Sequence, residues 1–510
     1  MSVDGVKPKL GVVFFAARWF NEVVLGNDES ARSFTRYLKE ESGRILEGLS
    51  RDVTAVAAPI VTSMEKARTA ARQFFAEDVD ALLLVFLAWS EDEYLLPFRD
   101  IMKVRPAILW VSTPYEKPPR KSGIMELFKN SGVVGSFEAF GVLRAMTAPQ
   151  EAGVSGGPGA HGDPGAAPFF VFGSSAAGNQ TTAGGHHPDG SPYTEIRAIA
   201  GAAAVRKALR TVRLGVLPYR NPQMIVTYVD EFELYSAVGP LVEYVSALQL
   251  RKAADAISPS AAQEYVKKVR AECTIDPRVT EDNLFASARA SLGMETLMFD
   301  REFDGLALSD LIPELHEVVG LRPCLYPERL ARSAKVVGNE GDLGGTTAMV
   351  ILRMLTGKPV MFTEIFNYDR DTGTVVAGHA GPSNYLLAGG MTPVTVTPDY
   401  ELMDSKSGIG GVWMEFIAAP GRVTMVNFIR SPGPGRGFQM TVLGGESLGG
   451  ELRVEGYPHA AVRIDPDMLR FLRSCAANGT SHHWAIVHGD IRAELGFLAD
   501  MLRIKKVMID

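Results

Sequence analysis

The feature that most constrains this chain is an alternation near its start. Apolar runs of strand length, LGVVFFA (10–16), VTAVAAP (53–59), ALLLVFLAW (81–89) and AILWVST (107–113), take turns with amphipathic stretches at 28–49, 64–77 and 91–103. Continuous apolar runs read as strands buried on both faces, and strand–helix–strand succession builds a parallel sheet covered by helices. Ligands of such sheets sit beyond the carboxyl ends of the strands. Trp19, Trp89 and Glu91 fall just past such ends, where ordinary loop packing is the competing reading.

The texture then changes twice. Residues 151–190 are rich in Gly and Pro and read as a long loop around one short strand, PFFVFG. His161, His186 and His187 lie in it, and a solvated loop explains them better than a metal site. A second α/β unit follows. It has a helix at TEIRAIAGAAAVRKALR, a strand at VRLGVLP (212–218) and helical patterns at 237–257, 260–271 and 280–292. GLALSDLIPELHEVVG and TAMVILRMLTG add two more helices, and Tyr219, Arg220 and Met224 follow the strand end. Beyond 358 come short β-rich runs between turns: PVMFTEIF, TVVAGHA, VTVTP, GGVWMEFIA, RVTMVNFI and GFQMTVLGGE. They predict a barrel or sandwich, closed by a helix after Asp490 and a terminal strand, KKVMID. The expected architecture is α/β: two Rossmann-like parallel-sheet domains, 1–178 (with the Gly/Pro-rich segment 151–190 at its end) and 179–357, then a β-rich, barrel-like domain, 358–510.

Composition narrows the function. Among 510 residues, 52 Lys and Arg face 59 Asp and Glu, for a net charge of −7. With no basic block, a nucleic-acid partner is not expected. Cys273, Cys324 and Cys475 are sparse and form no CxxC, which fits a reducing cytoplasm. No run of 18 or more apolar residues predicts a membrane span, and the N-terminus carries no signal-peptide pattern.

Chemistry concentrates in GNEGDLGGTTAMVILRMLTGKPVMFTEIFNYDRDTGTVVAGHAG, residues 338–381. Glu340 and Asp342 flank a glycine just before a helix, Glu364 interrupts an apolar strand, and His379 lies on the next strand. A carboxylate inside an apolar strand is costly unless paired, hydrogen-bonded or on a metal. A turn centred between Asp371 and Thr372 sets Glu364 directly opposite His379, with Cβ atoms about 5 Å apart. A three-residue loop would slip that register by one. The pair then reads either as two metal ligands or as a Glu–His hydrogen bond on an exposed sheet face. A second cluster, NGTSHHWAIVHGD, brings His482, His483 and His488 together. Adjacent residues of a strand point to opposite faces, so one of the His482–His483 doublet is expected to enter a shared site. Two carboxylates with imidazole suit Mn²⁺ or another mid-series divalent ion.

The order Glu340, Glu364, His379, His482-His483 resembles the L-fucose/L-arabinose isomerase superfamily. NEGDLGGTTAMVIL is similar to the family's acidic loop and helix, PVMFTEIF with AGHAG to its second-carboxylate strand and histidine. GTSHHWAIVHGDIRAELGFLADMLRIKKVMID is similar to the His-His segment of arabinose isomerases, and Glu364 stands where the fucose branch has Asp. The resemblance implies an intramolecular oxidoreductase interconverting aldoses and ketoses through an enediol. It implies Glu340 and Glu364 as acid/base pair, and Glu340, Glu364, His379 and His483 as ligands of Mn²⁺ or another divalent cation. Arg18, Trp89, Arg220, Met224 and His482 are candidates for contact with a monosaccharide. It also implies a homo-oligomer (trimer, tetramer or hexamer) with sites near subunit interfaces. Two other readings stay open: a non-catalytic sugar-binding or regulatory protein on the same scaffold, and another metal-dependent carbohydrate enzyme such as an aldolase.

Overall fold

The computed structural model describes residues 5–18, 28–50, 52–117, 120, 123–147, 167–176, 191–401, 410–432 and 437–510. Trp19, His161, His186 and His187, and most of the 151–190 segment, lie outside them. The chain divides into two compact units, Lys7–Lys207 and Ala208–Asp510, the latter joined by the N-terminal residues up to Val6.

The N-terminal unit is a parallel sheet of β1 (Lys9–Phe15), β2 (Thr54–Ala57), β3 (Ala81–Phe86), β4 (Ala107–Thr113) and β5 (Phe169–Ser174). Its five strands run in the order β2-β1-β3-β4-β5. β3 is buried along its whole length, as the run ALLLVF requires of a central strand with both faces covered. The stretch 91–103 is a 3₁₀ turn, Asp92–Phe98, and one short helical turn, Arg99–Met102, because Pro97 denies the backbone a regular α ladder.

In the second unit β6 (Arg213–Leu217), β7 (Leu241–Tyr244), β9 (Gly305–Leu308) and β10 (Val336–Asn339) form a four-stranded parallel sheet in the order β10-β9-β6-β7. β8 (Thr274–Ile275) belongs to a small mixed sheet with β13 (Thr395–Pro398) and β14 (Val412–Glu415). Two helical expectations are corrected here. The stretch 237–257 is strand β7 followed by the helix Ala247–Ala256, entered through a Ser246/Gln249 capping box. GLALSDLIPELHEVVG is strand β9 and then the helix Pro313–Val319, with Pro313 in its first turn.

The expected barrel is present. β11 (Val360–Asp369), β12 (Thr374–Gly378), β15 (Gly421–Arg430), β16 (Phe438–Ser447), β17 (His459–Ile464) and β18 (His483–His488) form a ring in the order β15-β18-β11-β12-β17-β16, closed by pairing of β16 with β15. The terminal strand β19 (Lys505–Ile509) adds in parallel to β16. The fold is therefore α/β with two parallel sheets and a closed antiparallel barrel.

One helix ties the second sheet to the barrel. Leu343–Thr356 is buried from Leu343 to Met354 and packs against β9 and β10 and against β11, β15 and β18. Its opening glycines make this approach possible. A side chain at Gly344 would strike the Phe428 carbonyl, and one at Gly345 would strike the Phe362 ring. Among the described residues no helix is long and apolar enough to cross a membrane.

Candidate active site

Strand β10 ends at Asn339, and the next three residues make the turn into the helix Leu343–Thr356. Glu340 and Gly341 both adopt left-handed backbone angles, φ 56 and 64. Glycine takes this at no steric cost; glutamate does not. The turn is held by the Glu340 amide donating to Asp310 Oδ1 (2.9 Å), Gly341 to the Leu308 carbonyl (3.0 Å) and Asp342 to the Asn339 carbonyl (3.1 Å). Asp342 then caps the helix, its Oδ1 accepting from the Gly344 amide at 2.8 Å.

The barrel supplies the facing groups. β11 pairs with β18 so that Glu364 lies directly opposite His483. On its other edge β11 pairs with β12, and the expected register holds only next to the turn, from Asp369–Thr374 to Asn367–Val376. An irregularity between Ile365 and Asn367 then slips the ladder by one, and Glu364 faces Gly378 rather than His379. The extra residue of a bulge is invisible to counting from the turn. His379, just past the end of β12, still reaches the same place, as does the doublet.

The side chains converge. Ligand atoms of Glu364, His379 and His483 lie within 4.8 Å of one another, as do those of Glu340, His482 and His483. Glu340 Oε2 is 3.0 Å from His483 Nε2 and 3.9 Å from His379 Nε2. Both histidines of the doublet therefore come to the site, against the alternation argument. His482 sits in a bend before β18 begins, where strand alternation does not apply, and its ring lies 4.0 Å from that of His483. Trp484 follows the rule and packs on Phe471 instead.

The imidazoles are oriented from behind. His483 Nδ1 pairs with Asp342 Oδ2 at 2.9 Å, and His379 Nδ1 donates to the Ala380 carbonyl at 2.6 Å. Asn339 Nδ2 donates to the same carbonyl at 2.9 Å. His379 Nε2 is thereby left as an acceptor with no hydrogen-bond partner, although His379 is only 4% exposed. A buried unpaired ring nitrogen aimed at carboxylates, with its other nitrogen fixed by a carbonyl, is how metal-binding histidines are held. The residues present fit a divalent ion.

Electrostatics follow from the packing. Burial by itself would raise Glu340, but the His379 and His483 imidazoles hold its carboxyl well below the usual range. Burial would lower His483, yet the Asp342 and Glu340 carboxylates carry it up to about 9. Burial and the neighbouring His483 push His482 down to about 4. Without an ion the His483 proton supplies positive charge to the cluster.

None of the remaining candidates belongs to either group of converging side chains. Arg220 is exposed and stacks over the Tyr228 ring, its guanidinium carbon 3.8 Å from the centroid, while its backbone abuts Gly341. Met224 is half-buried and caps the turn Ile225–Thr227, accepting from the Thr227 hydroxyl and amide. Arg18 and Trp89 belong to the N-terminal unit. There Trp89 Nε1 donates to both Glu138 oxygens (3.0 and 3.1 Å) and lines an open cleft of about 510 Å³ with Glu91, Leu127, Phe128 and Val134.

Sequence reasoning missed the support behind Glu340. Asp310 and Arg322 are fully buried, and Arg322 reaches Asp310 (3.5 Å), Asp399 (2.7 and 2.5 Å) and Glu401 (2.7 Å). The one signal was a carboxylate just after the apolar run GLAL, at the carboxyl end of a parallel strand.

No protein-family profile matches the chain. The sulfoquinovose isomerase of Priestia aryabhattai is 24% identical over 469 residues, 90% of this chain and 93% of that protein. A sulfoquinovose isomerase of Clostridium sp. (strain MSTE9) is 30% identical over 197 residues, 38% of this chain and 41% of that protein. The L-arabinose isomerase of Clostridium beijerinckii is 22% identical over 335 residues, 64% of this chain and 66% of that protein. In the order of its site residues and in sequence over most of its length, the chain is similar to sugar isomerases of the L-fucose/L-arabinose isomerase-like group.

Proposed function

We propose that the chain is a divalent-metal-dependent aldose–ketose isomerase acting on a free monosaccharide, with Glu340 and Glu364 as its acid/base pair. The observation that carries this reading is the sharing of His483 by two ligand groups, Glu364–His379–His483 and Glu340–His482–His483, beside the buried, unpartnered His379 Nε2.

The reaction asks little of the protein beyond placement. An open-chain aldose becomes a ketose through an enediol when one proton leaves C2 and one arrives at C1, while the O2 hydroxyl loses its proton and O1 gains one, with no net change in atoms. One carboxylate takes the first proton and the other returns the second, each step worth typically 10²–10⁴-fold when the group is positioned. Glu340 is fixed by its turn and by His483, and Glu364 by two ladder neighbours. Glu340, Glu364, His379 and His483 would hold the ion, Mn²⁺ or a similar divalent, which when bound stabilises negative charge on the sugar oxygens. Asp342 and the Ala380 carbonyl keep the two imidazoles turned toward it.

The test is turnover by chelator-stripped protein reloaded with Mn²⁺. Sulfoquinovose comes first and L-arabinose second, because these are the sugars in the names of the similar proteins. Ketose formation that vanishes with chelator is expected. Glu364→Gln should lower kcat by about 10²–10⁴-fold with the fold intact. Near-normal turnover by that variant would remove Glu364 from the acid/base pair.

A further inference from the structure

We infer that Asp310, clamped by Arg322, is the positioning residue that holds Glu340 in its left-handed turn, and so sets where its carboxylate points. The inference rests on the isomerase reading for its meaning but not for its geometry. Glu340 is a non-glycine residue at φ 56, a conformation that persists only where the surroundings over-determine it. What surrounds it is a carboxylate. Asp310 Oδ1 accepts the Glu340 amide at 2.9 Å, and a buried amide with no acceptor would be costly. Asp310 follows β9, the neighbour of β10 in the sheet, so acceptor and donor sit on adjoining strand ends.

Burial pushes the Asp310 carboxyl above its ordinary range, and a fully buried carboxyl needs a reason to stay in place. Arg322 is that reason: Nη1 lies 3.5 Å from Asp310 Oδ2. Arg322 cannot easily turn away, because its Nε and Nη2 both donate to the Asp399 carboxylate and its Nη1 donates to Glu401 Oε2 at 2.7 Å. Trp413 lies under the guanidinium, 5.0 Å from carbon to ring centroid. The line runs from Asp399 and Glu401 through Arg322 and Asp310 to the Glu340 backbone. It ends at the Oε2 atom that meets His483 at 3.0 Å.

Two variants separate the hydrogen bond from bulk. Asp310→Asn keeps an oxygen acceptor of the same reach, and Asp310→Ser keeps polarity but falls short of the amide. Three readouts are taken on the full chain: a crystal structure of each variant, Mn²⁺ affinity by calorimetry, and kcat with KM. In Asp310→Ser, Glu340 should leave the left-handed region or lose its contact with His483. Mn²⁺ affinity and kcat should each fall at least about tenfold, with KM changed less than threefold, while Asp310→Asn stays within about threefold of the parent. A folded Asp310→Ser with Glu340 unmoved and parental Mn²⁺ affinity overturns the inference, and so does an Asp310→Asn as impaired as the serine variant. If Asp310→Ser does not fold, Asp310→Asn decides: a tenfold loss of Mn²⁺ affinity in it overturns the inference. A parent protein that isomerises no sugar would defeat the isomerase reading alone, because the position of Glu340 is still read from the crystal structures.

Discussion

Asp342 carries two duties with two oxygens. Oδ1 caps the helix Leu343–Thr356 at the Gly344 amide, and Oδ2 pairs with His483 Nδ1. The duties can be separated by substitution. Asp342→Asn keeps an oxygen for the cap but loses the charge that orients and polarises His483. Divalent-ion affinity should fall about 10–100-fold, as is usual when the partner of a metal-binding histidine is removed. The urea midpoint of the metal-free protein should fall modestly. Asp342→Ala loses the cap as well, adding about 1 kcal/mol of destabilisation. Titration calorimetry and urea unfolding on the two variants check both statements; equal metal affinity in parent and Asp342→Asn would show that His483 needs no support from behind.

At the scale of elements, the helix Leu343–Thr356 decides whether a sheet and a barrel can share one core. At Gly344 it comes against β15, with the Phe428 carbonyl where a side chain would stand. Gly344→Ala should therefore force the helix and β15 apart and cost about 1–3 kcal/mol by overpacking. Gly496→Ala, inside the helix Arg492–Leu502 where a side chain would meet only Lys506 Cδ at ordinary contact distance, should be neutral or stabilise by up to about 1 kcal/mol. Thermal unfolding of the pair makes the comparison, and similar midpoints would mean that the approach at Gly344 is not tight. These glycines were legible as a pattern, GDLGG before an apolar helix, but not as a contact, because the Phe428 carbonyl is 84 positions away. The parallel strands and four of the six β-rich runs were legible because continuous or alternating apolarity follows burial directly, whereas VTVTP and GGVWMEFIA join β8 in the small mixed sheet rather than the barrel. Strand β7 was hidden inside a helical-looking stretch, since its four residues, LVEY, are too few to set a period. The site's residue types and order were likewise readable, as Glu364 in an apolar strand and a His doublet are costly without a purpose. Its fine geometry was not: the bulge in β11 and the bend at His482 are tertiary effects that local counting does not register.

For the whole molecule, the site couples stability to pH and to metal with opposite signs. In the metal-free protein His483 titrates at about 9 rather than 6.5, because Asp342 and Glu340 favour its charged form against burial. A raised pKa in the folded state gives stability that is complete below about 6.5 and is lost as pH rises through about 9. Glu340 works at the acid end. Its carboxyl is held below the ordinary 4.5, so its contribution is present above that value and is lost as pH falls below it. On the proposed ligand set an ion would have to displace the His483 proton, so its affinity should rise with pH toward about 9, by up to about tenfold per unit. At a concentration of 100 times its Kd, a bound ion adds about 2.7 kcal/mol. The two curves therefore diverge. Between pH 6.5 and 8.5 the stripped protein should lose thermal stability while the gap between loaded and stripped protein widens. Calorimetric scans at fixed Mn²⁺ with matched chelator controls read both directly. Proton release on binding, from titrations in buffers of different ionisation enthalpy, reads the same linkage independently. A gap that stays constant or narrows with rising pH, with no proton released, would mean that the ion does not compete with the His483 proton and that His483 is not among its ligands.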